Sequence, residues 1–251
     1  MSRLWSGILS KTTEMAPCSF DRPHHQAIAT VLQALDRDLL AANRCLFGGG
    51  TAITLRYGEY RESIDIDFLV SDLAGYRKVR QLLTGPAGLD SIARPGASLS
   101  ALREIRADQY GIRTIVAAGD AKIKFEIVLE ARIEFEPPGP DGEICGIATL
   151  TPLDMLASKL LANSDRWADD SVFSRDLIDM AMMNPARQLL QRGCEKAEGA
   201  YGPSIRRDLD HAVSKLLTRN GRVEQCMSAL KMDTPKALLW QRLKLLASRT
   251  T

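Results

Sequence analysis

Two aspartates one residue apart, Asp65 and Asp67, stand in the run Ser63-Ile64-Asp65-Ile66-Asp67-Phe68. The alternation predicts a strand over 63–70, where residues two apart share a face. Both carboxylates then point one way while Ile64, Ile66 and Phe68 point into the core. Neighbouring carboxylates resist ionising beside one another unless a cation compensates. Mg2+ is such a cation, a hard ion held by one or two carboxylates together with substrate phosphates. The plainer reading of the same pattern is a solvent-facing strand that merely alternates.

Upstream, the apolar run Cys45-Leu46-Phe47 ends in Gly48-Gly49-Gly50-Thr51. Thr51 can cap a short helix over 52–57, which Gly58 would end. Such a turn offers free N–H groups and a helix dipole to phosphate, and glycine allows close backbone approach. It is not a Walker A loop, since no Gly-Lys-Ser/Thr follows, and Ile53 stands where a dinucleotide fingerprint needs its third glycine. The plainer reading, an ordinary tight turn with a threonine cap, is favoured when the turn is taken alone. Downstream, Lys122, Lys124 and Glu126 share one face of a second strand, opposite Ile123, Phe125 and Ile127. If that strand neighbours the first, Glu126 joins the two aspartates, able to ligate a second metal or take a proton from an attacking hydroxyl. Glu130 is its rival on the same face and reads as one more charged residue on a wet sheet.

The elements that must position these groups follow from periodicity. A helix is expected over 24–43, another over 73–84, a loop through the Gly/Pro-rich 85–96, and strands near 102–107, 112–117, 122–135 and 143–149. From Pro152 onward the pattern is helical, broken at Asn184-Pro185, Gly202-Pro203 and Asn220-Gly221. The fold class is therefore α+β, with a boundary near residue 150 dividing 1–150 from an all-helical 151–251. The 251 residues are 45% apolar and 25% charged, which excludes a disordered chain, and no run of 18 apolar residues exists to span a membrane. The N-terminal MSRLWSGILSKTTEM has no signal-peptide cleavage pattern. Five scattered cysteines without a C-x-x-C pair argue against disulfides and structural zinc, and three histidines without H-E-x-x-H argue against a histidine metal site. A reducing, cytoplasmic setting is expected.

Together, Gly49-Gly50-Thr51-Ala52-Ile53, Arg61, Ser63 and Asp65-Ile66-Asp67-Phe68, followed by Glu126, resemble the DNA polymerase β type of nucleotidyltransferase. They look most like the AbiEii/AbiGii toxin family. Lys159 in Leu156-Ala157-Ser158-Lys159-Leu160 and Asp176 in Arg175-Asp176-Leu177-Ile178-Asp179 match that family's later motifs. The resemblance covers roughly residues 40–180; glutamate at 126, where many such enzymes carry aspartate, departs mildly. It implies a nucleotidyltransferase-fold mixed sheet with flanking helices, followed by a C-terminal helical bundle. It further implies a bacterial toxin transferring NMP from an NTP, with an antitoxin encoded alongside. Asp65, Asp67 and Glu126 would hold Mg2+, and Gly49, Gly50 and Thr51 would cradle phosphates. Lys159 would charge-compensate the triphosphate. Arg61 either contacts phosphate or pairs with the aspartate strand, and Ser63 belongs to the same binding motif. Asp176 or Asp179 orients Lys159 or the metal site, or Arg175-Asp176 braces two helices.

Residues 187–251 carry 13 Lys/Arg against 6 Asp/Glu, whereas the remainder has 20 against 25. A basic stripe of Arg206, Arg207, Lys215, Arg219 and Arg222 would suit an RNA backbone, tRNA in particular, or would simply be a solvated surface. Trp240 reads as core, and His24-His25 as surface. Alternatives to a toxin are an antibiotic nucleotidyltransferase, which the basic half disfavours, and a non-catalytic nucleotide- or RNA-binding module.

Overall fold

The computed structural model describes residues 18–139 and 141–250; the N-terminal stretch read above for a signal peptide lies outside them. Helix α1 (Pro23–Ala34) starts with proline in its first turn, where the missing N–H costs nothing. The expected 24–43 helix is in fact two. At Asp36 the main-chain N–H goes to the Ile92 carbonyl and the carboxylate caps α2 (Arg37–Ala42) through the Leu39 N–H, so the backbone must extend at Leu35.

Strands β1 (Leu46–Gly48), β2 (Asp65–Val70), β3 (Arg106–Ala107), β4 (Gly111–Ala118) and β5 (Ala121–Leu129) form one mixed sheet in the order β1-β2-β5-β4-β3. Only β2 and β5 run parallel. One sheet face is apolar: Ile66, Phe68 and Val70 of β2 and Ile123, Phe125 and Ile127 of β5 are buried, and Phe68 stacks between Phe47 and Phe125 at 5.7 and 5.6 Å. Helices α1 and α4 (Leu73–Leu83, capped by Asp72) pack with these strands. The other face carries Asp65, Asp67, Lys124 and Glu126. Helix α3 (Gly49–Arg56) joins β1 to the loop preceding β2.

Several strand expectations shorten. The 102–107 strand is only β3; the 122–135 strand ends at Leu129, after which Arg132 folds back onto Glu130 while Ile133 and Phe135 enter the core. The 143–149 strand is a tight hairpin of β6 (Glu143–Ile144) and β7 (Ile147–Ala148), turned through Cys145 and Gly146 at positive φ. That turn brings Cys145 to Cys18 in a disulfide with Cα atoms 5.2 Å apart, overturning the expectation that no cysteines pair. Their sequence separation of 127 hides a proximity that only folding creates. Cys45, Cys194 and Cys226 are buried free thiols.

Beyond Leu150 the chain is helical: α5 (Pro152–Arg166), α6 (Arg175–Met183), α7 (Arg187–Tyr201), α8 (Ser204–Thr218), α9 (Arg222–Ala229) and α10 (Lys236–Thr250). Interruptions fall at the expected Asn184, Gly202 and Gly221, all at positive φ. A further one, at 167–174, has Phe173 and Ser174 both left-handed. Helix α5 is central, contacting α3, α6, α7 and α8. Its Met155, Ser158, Lys159, Ala162 and Asp165 recur at helical spacing and face the charged side of the sheet across a cleft of about 610 Å3. No helix among the described residues is long and apolar enough to cross a membrane.

Candidate active site

The parallel register of β2 and β5 sets Asp65 beside Lys124 and Asp67 beside Glu126, while β1 sets Gly48 beside Asp67. The glycine turn therefore abuts the carboxylate face. Gly49 sits at φ +66, and a Cβ there would strike the Asp67 carboxylate; one on Gly50 would strike the Arg61 guanidinium. At Gly49 glycine is required by space as well as by conformation.

Asp65 and Asp67 are half-buried, and among the described residues neither carboxylate accepts a hydrogen bond or pairs with a cation. Burial, then the charges of Asp65 and Glu126, push the Asp67 carboxyl up to about 6. Two unpartnered carboxylates repelling each other beside a glycine turn fit a hard divalent cation. Glu126 differs. Its Oε1 accepts from Arg113 Nε at 3.0 Å and its Oε2 from Lys124 Nζ at 2.6 Å. Among the described residues no three acidic, His or Cys side chains already converge as a metal cage, so Glu126 must leave those partners to act as a ligand. Glu130 is not on a wet face. It is buried and held by Arg132 through Nε (2.8 Å) and Nη2 (2.7 Å), a bidentate pair that corrects the sequence reading.

Across the cleft lies a buried ionic network. Arg61 forks onto Asp179 through Nε (2.7 Å) and Nη2 (2.9 Å), and the Tyr60 hydroxyl donates to the same carboxylate at 2.6 Å. Lys159 Nζ bridges Asp179 (2.7 Å) and Asp176 (2.9 Å), and Arg166 completes Asp176 at 2.6 and 2.9 Å. Burial opposes the charge on Lys159, but Asp176 and Asp179 overcome it and raise its pKa. Burial likewise opposes ionisation of Asp179, and Arg61 and Lys159 reverse that, lowering it. Three cations against two carboxylates leave one positive charge beside Asp65 and Asp67. Arg61 thus pairs with Asp179 of α6 rather than with the aspartate strand. Asp176 and Asp179 both hold Lys159, and Asp176 braces α6 to α5 through Lys159 and Arg166, while Arg175 is exposed at the cleft.

Thr51 does not cap α3. It lies within the helix, fully buried, and its Oγ1 donates to the Asp65 carbonyl at 2.5 Å. Its one proton being so used, the 2.7 Å contact with Ser63 Oγ is a bond that Ser63 donates. Thr51 and Ser63 therefore splice the glycine turn to the aspartate strand. Sequence reasoning missed His25. It is buried rather than on the surface, and it touches both Glu59 and Ser63.

The supposed basic stripe is largely neutralised. Arg206 pairs with Glu198 and Arg207 with Asp208, while Lys215, Arg219 and Arg222 converge on Asp170, with Arg222 buried. Trp240 packs against the core, as expected.

Residues 31–243 match the family described as nucleotidyl transferase AbiEii toxin, type IV TA system. No curated protein matches the chain. Two solved structures resemble it, a candidate nucleotidyltransferase from H. pylori and JHP933 from Helicobacter pylori. Each is 18% identical with a TM-score of 0.46; both cover 90% of this chain, and the chain covers 94% and 91% of them respectively.

Proposed function

The chain belongs to the AbiEii nucleotidyl transferase toxin family, and from that premise we propose that it moves a nucleoside monophosphate from an NTP to a hydroxyl of RNA, tRNA in particular, with Mg2+ held by Asp65 and Asp67. The observation that carries this reading is the pair of unpartnered, mutually repelling carboxylates set by strand register against the glycine turn. Bound there, Mg2+ would neutralise charge developing on the triphosphate.

The chain's own groups divide the remaining work. First-turn N–H groups of α3 at Gly49, Gly50 and Thr51 bind phosphate oxygens. Lys159 has three N–H donors and commits two to Asp176 and Asp179, leaving one for phosphate. Arg61 and Asp176 act by fixing that lysine and its helix. Glu126, once released by Arg113 and Lys124, would help hold the metal or take the acceptor's proton. The acceptor oxygen forms a bond to the α-phosphorus, the bond to the β-bridging oxygen breaks, and pyrophosphate leaves with that electron pair. In this division residues 1–150 supply the carboxylates and 151–251 supply Lys159, so the site joins the two units read in the sequence.

For the acceptor, the exposed Arg175 at the cleft and the excess of Lys215 and Arg219 over Asp170 offer charge to a polyanion. A small cationic drug gains nothing from them. A cognate antitoxin completes the proposal. Incubation with four α-labelled NTPs, Mg2+ and bulk tRNA should label the RNA, and Asp67→Asn should abolish labelling. Label on protein alone, or on an aminoglycoside supplied in place of RNA, would remove RNA as the acceptor.

A further inference from the structure

His25 lies on α1, ahead of the family-matched residues 31–243 and outside every motif that carries the nucleotidyltransferase reading. Its imidazole is fully buried. Nδ1 lies 2.6 Å from Glu59 Oε1, and Nε2 lies 3.1 Å from the backbone N of Ser63. Because an amide N–H can only donate, Nε2 must be the unprotonated acceptor, which places the ring proton on Nδ1 and directs it to Glu59. Burial lowers the His25 pKa, in keeping with a neutral ring.

Glu59 is itself built in. It stands at φ +49, and its carboxylate also accepts the Asp21 and Arg22 N–H groups at 2.8 and 3.2 Å. Next to His25, His24 Nε2 contacts the Ile64 carbonyl at 3.0 Å. Two consecutive side chains of α1 therefore grip the two residues immediately before Asp65. From Ser63 the connection continues: its hydroxyl donates to Thr51, and Thr51 donates to the Asp65 carbonyl.

We propose that His25, locked in one tautomer by Glu59, is a positioning residue for the Asp65–Asp67 site: it fixes the Ser63 amide and, through Ser63 and Thr51, the spacing between the glycine turn and Asp65. The inference rests on the nucleotidyl-transfer reading of that site. His25 touches no reacting atom. Its effect is on geometry, where an error of about 1 Å can cost on the order of 100-fold in rate.

Two substitutions separate this role from mere core filling. In His25→Gln the side-chain carbonyl reaches the place of Nε2 and can accept the Ser63 N–H. In His25→Asn the shorter amide sits near Nδ1, keeping Glu59 but leaving Ser63 without its acceptor. Both shrink the same buried ring, so both should lower the melting temperature. Three readouts apply to the full chain: turnover and KM with α-labelled NTPs and tRNA, the Mg2+ concentration for half-maximal rate, and amide exchange of 61–66.

Turnover of His25→Asn should fall about 10- to 100-fold with a raised Mg2+ requirement and faster exchange at 61–66, whereas His25→Gln should stay within a few-fold of wild type. Equal turnover and equal exchange in the two variants would overturn the proposal. Should the wild-type protein itself transfer no label, the nucleotidyl reading fails. The exchange comparison then still decides the clamp, upheld if Asn alone speeds exchange and overturned if the two agree.

Discussion

Replacing Asp67 by asparagine should make the metal-free protein more stable at pH 8 while abolishing metal-dependent nucleotide binding. In the folded chain the carboxyl sits half-buried beside Asp65 and Glu126 without a hydrogen-bond partner among the described residues, and its pKa rises from an ordinary 3.8 to about 6. At about 1.4 kcal/mol per pH unit, ionising Asp67 in place costs the fold about 3 kcal/mol at most. The sign follows from proton uptake. The native state holds the proton more tightly than the unfolded chain, so the advantage is complete below about pH 4 and is lost as pH rises through 6. Asparagine keeps the shape, removes the charge and escapes that loss. Urea denaturation in EDTA at pH 4.5 and pH 8 checks it. The variant should gain about 1–3 kcal/mol over wild type at pH 8 and about a third of that at pH 4.5, just above the ordinary carboxyl value. Adding Mg2+ with NTP should then raise the wild-type midpoint and leave that of Asp67→Asn unmoved. A variant less stable than wild type at pH 8 without metal would refute the view of Asp67 as a carboxylate strained for want of a cation.

Glu126→Gln should cut turnover by at least about 100-fold with little change in melting temperature. Glu130→Gln should do the reverse, since it breaks the buried bidentate pair with Arg132; loss of activity only at Glu130 would reverse the assignment. Asp179→Asn removes the partner shared by Arg61, Tyr60 and Lys159 and should cost roughly 3–5 kcal/mol in urea denaturation, the usual penalty for unpairing buried charge. Gly49→Ala forces a side chain against Asp67 at a positive φ and should impair Mg·NTP binding, read by calorimetry, more than it impairs folding. Charge reversal at the exposed Arg175 should weaken tRNA binding more than reversal at the paired Arg206 and Arg207. The slope of log affinity against log salt should become shallower by about 0.7–0.9 for each phosphate no longer neutralised.

The sequence by itself determined the sheet face on which the candidate site lies. Alternation with period two fixed which residues of β2 and β5 turn to the core, and this placed Asp65, Asp67 and Glu126 together once the two strands paired. It also determined most helix breaks beyond residue 180, because Asn184, Gly202 and Gly221 take backbone conformations other residues resist. The glycine turn at Gly49 was legible as a local pattern, whereas Lys159 and Asp176 stood out only through the resemblance to the family's later motifs. Tertiary structure alone decided who pairs with whom. Arg61 and Asp179 are 118 residues apart, His25 and Ser63 are 38 apart, and Cys18 and Cys145 are 127 apart. A charged or polar side chain carries no periodic signature of its partner. Its burial is tolerable only when a complementary group arrives from elsewhere in the chain. Hence Glu130 and His25, which read as wet surface, turn out to be buried, and the basic stripe is mostly neutralised, because desolvation selects for pairing that spacing in the sequence does not encode.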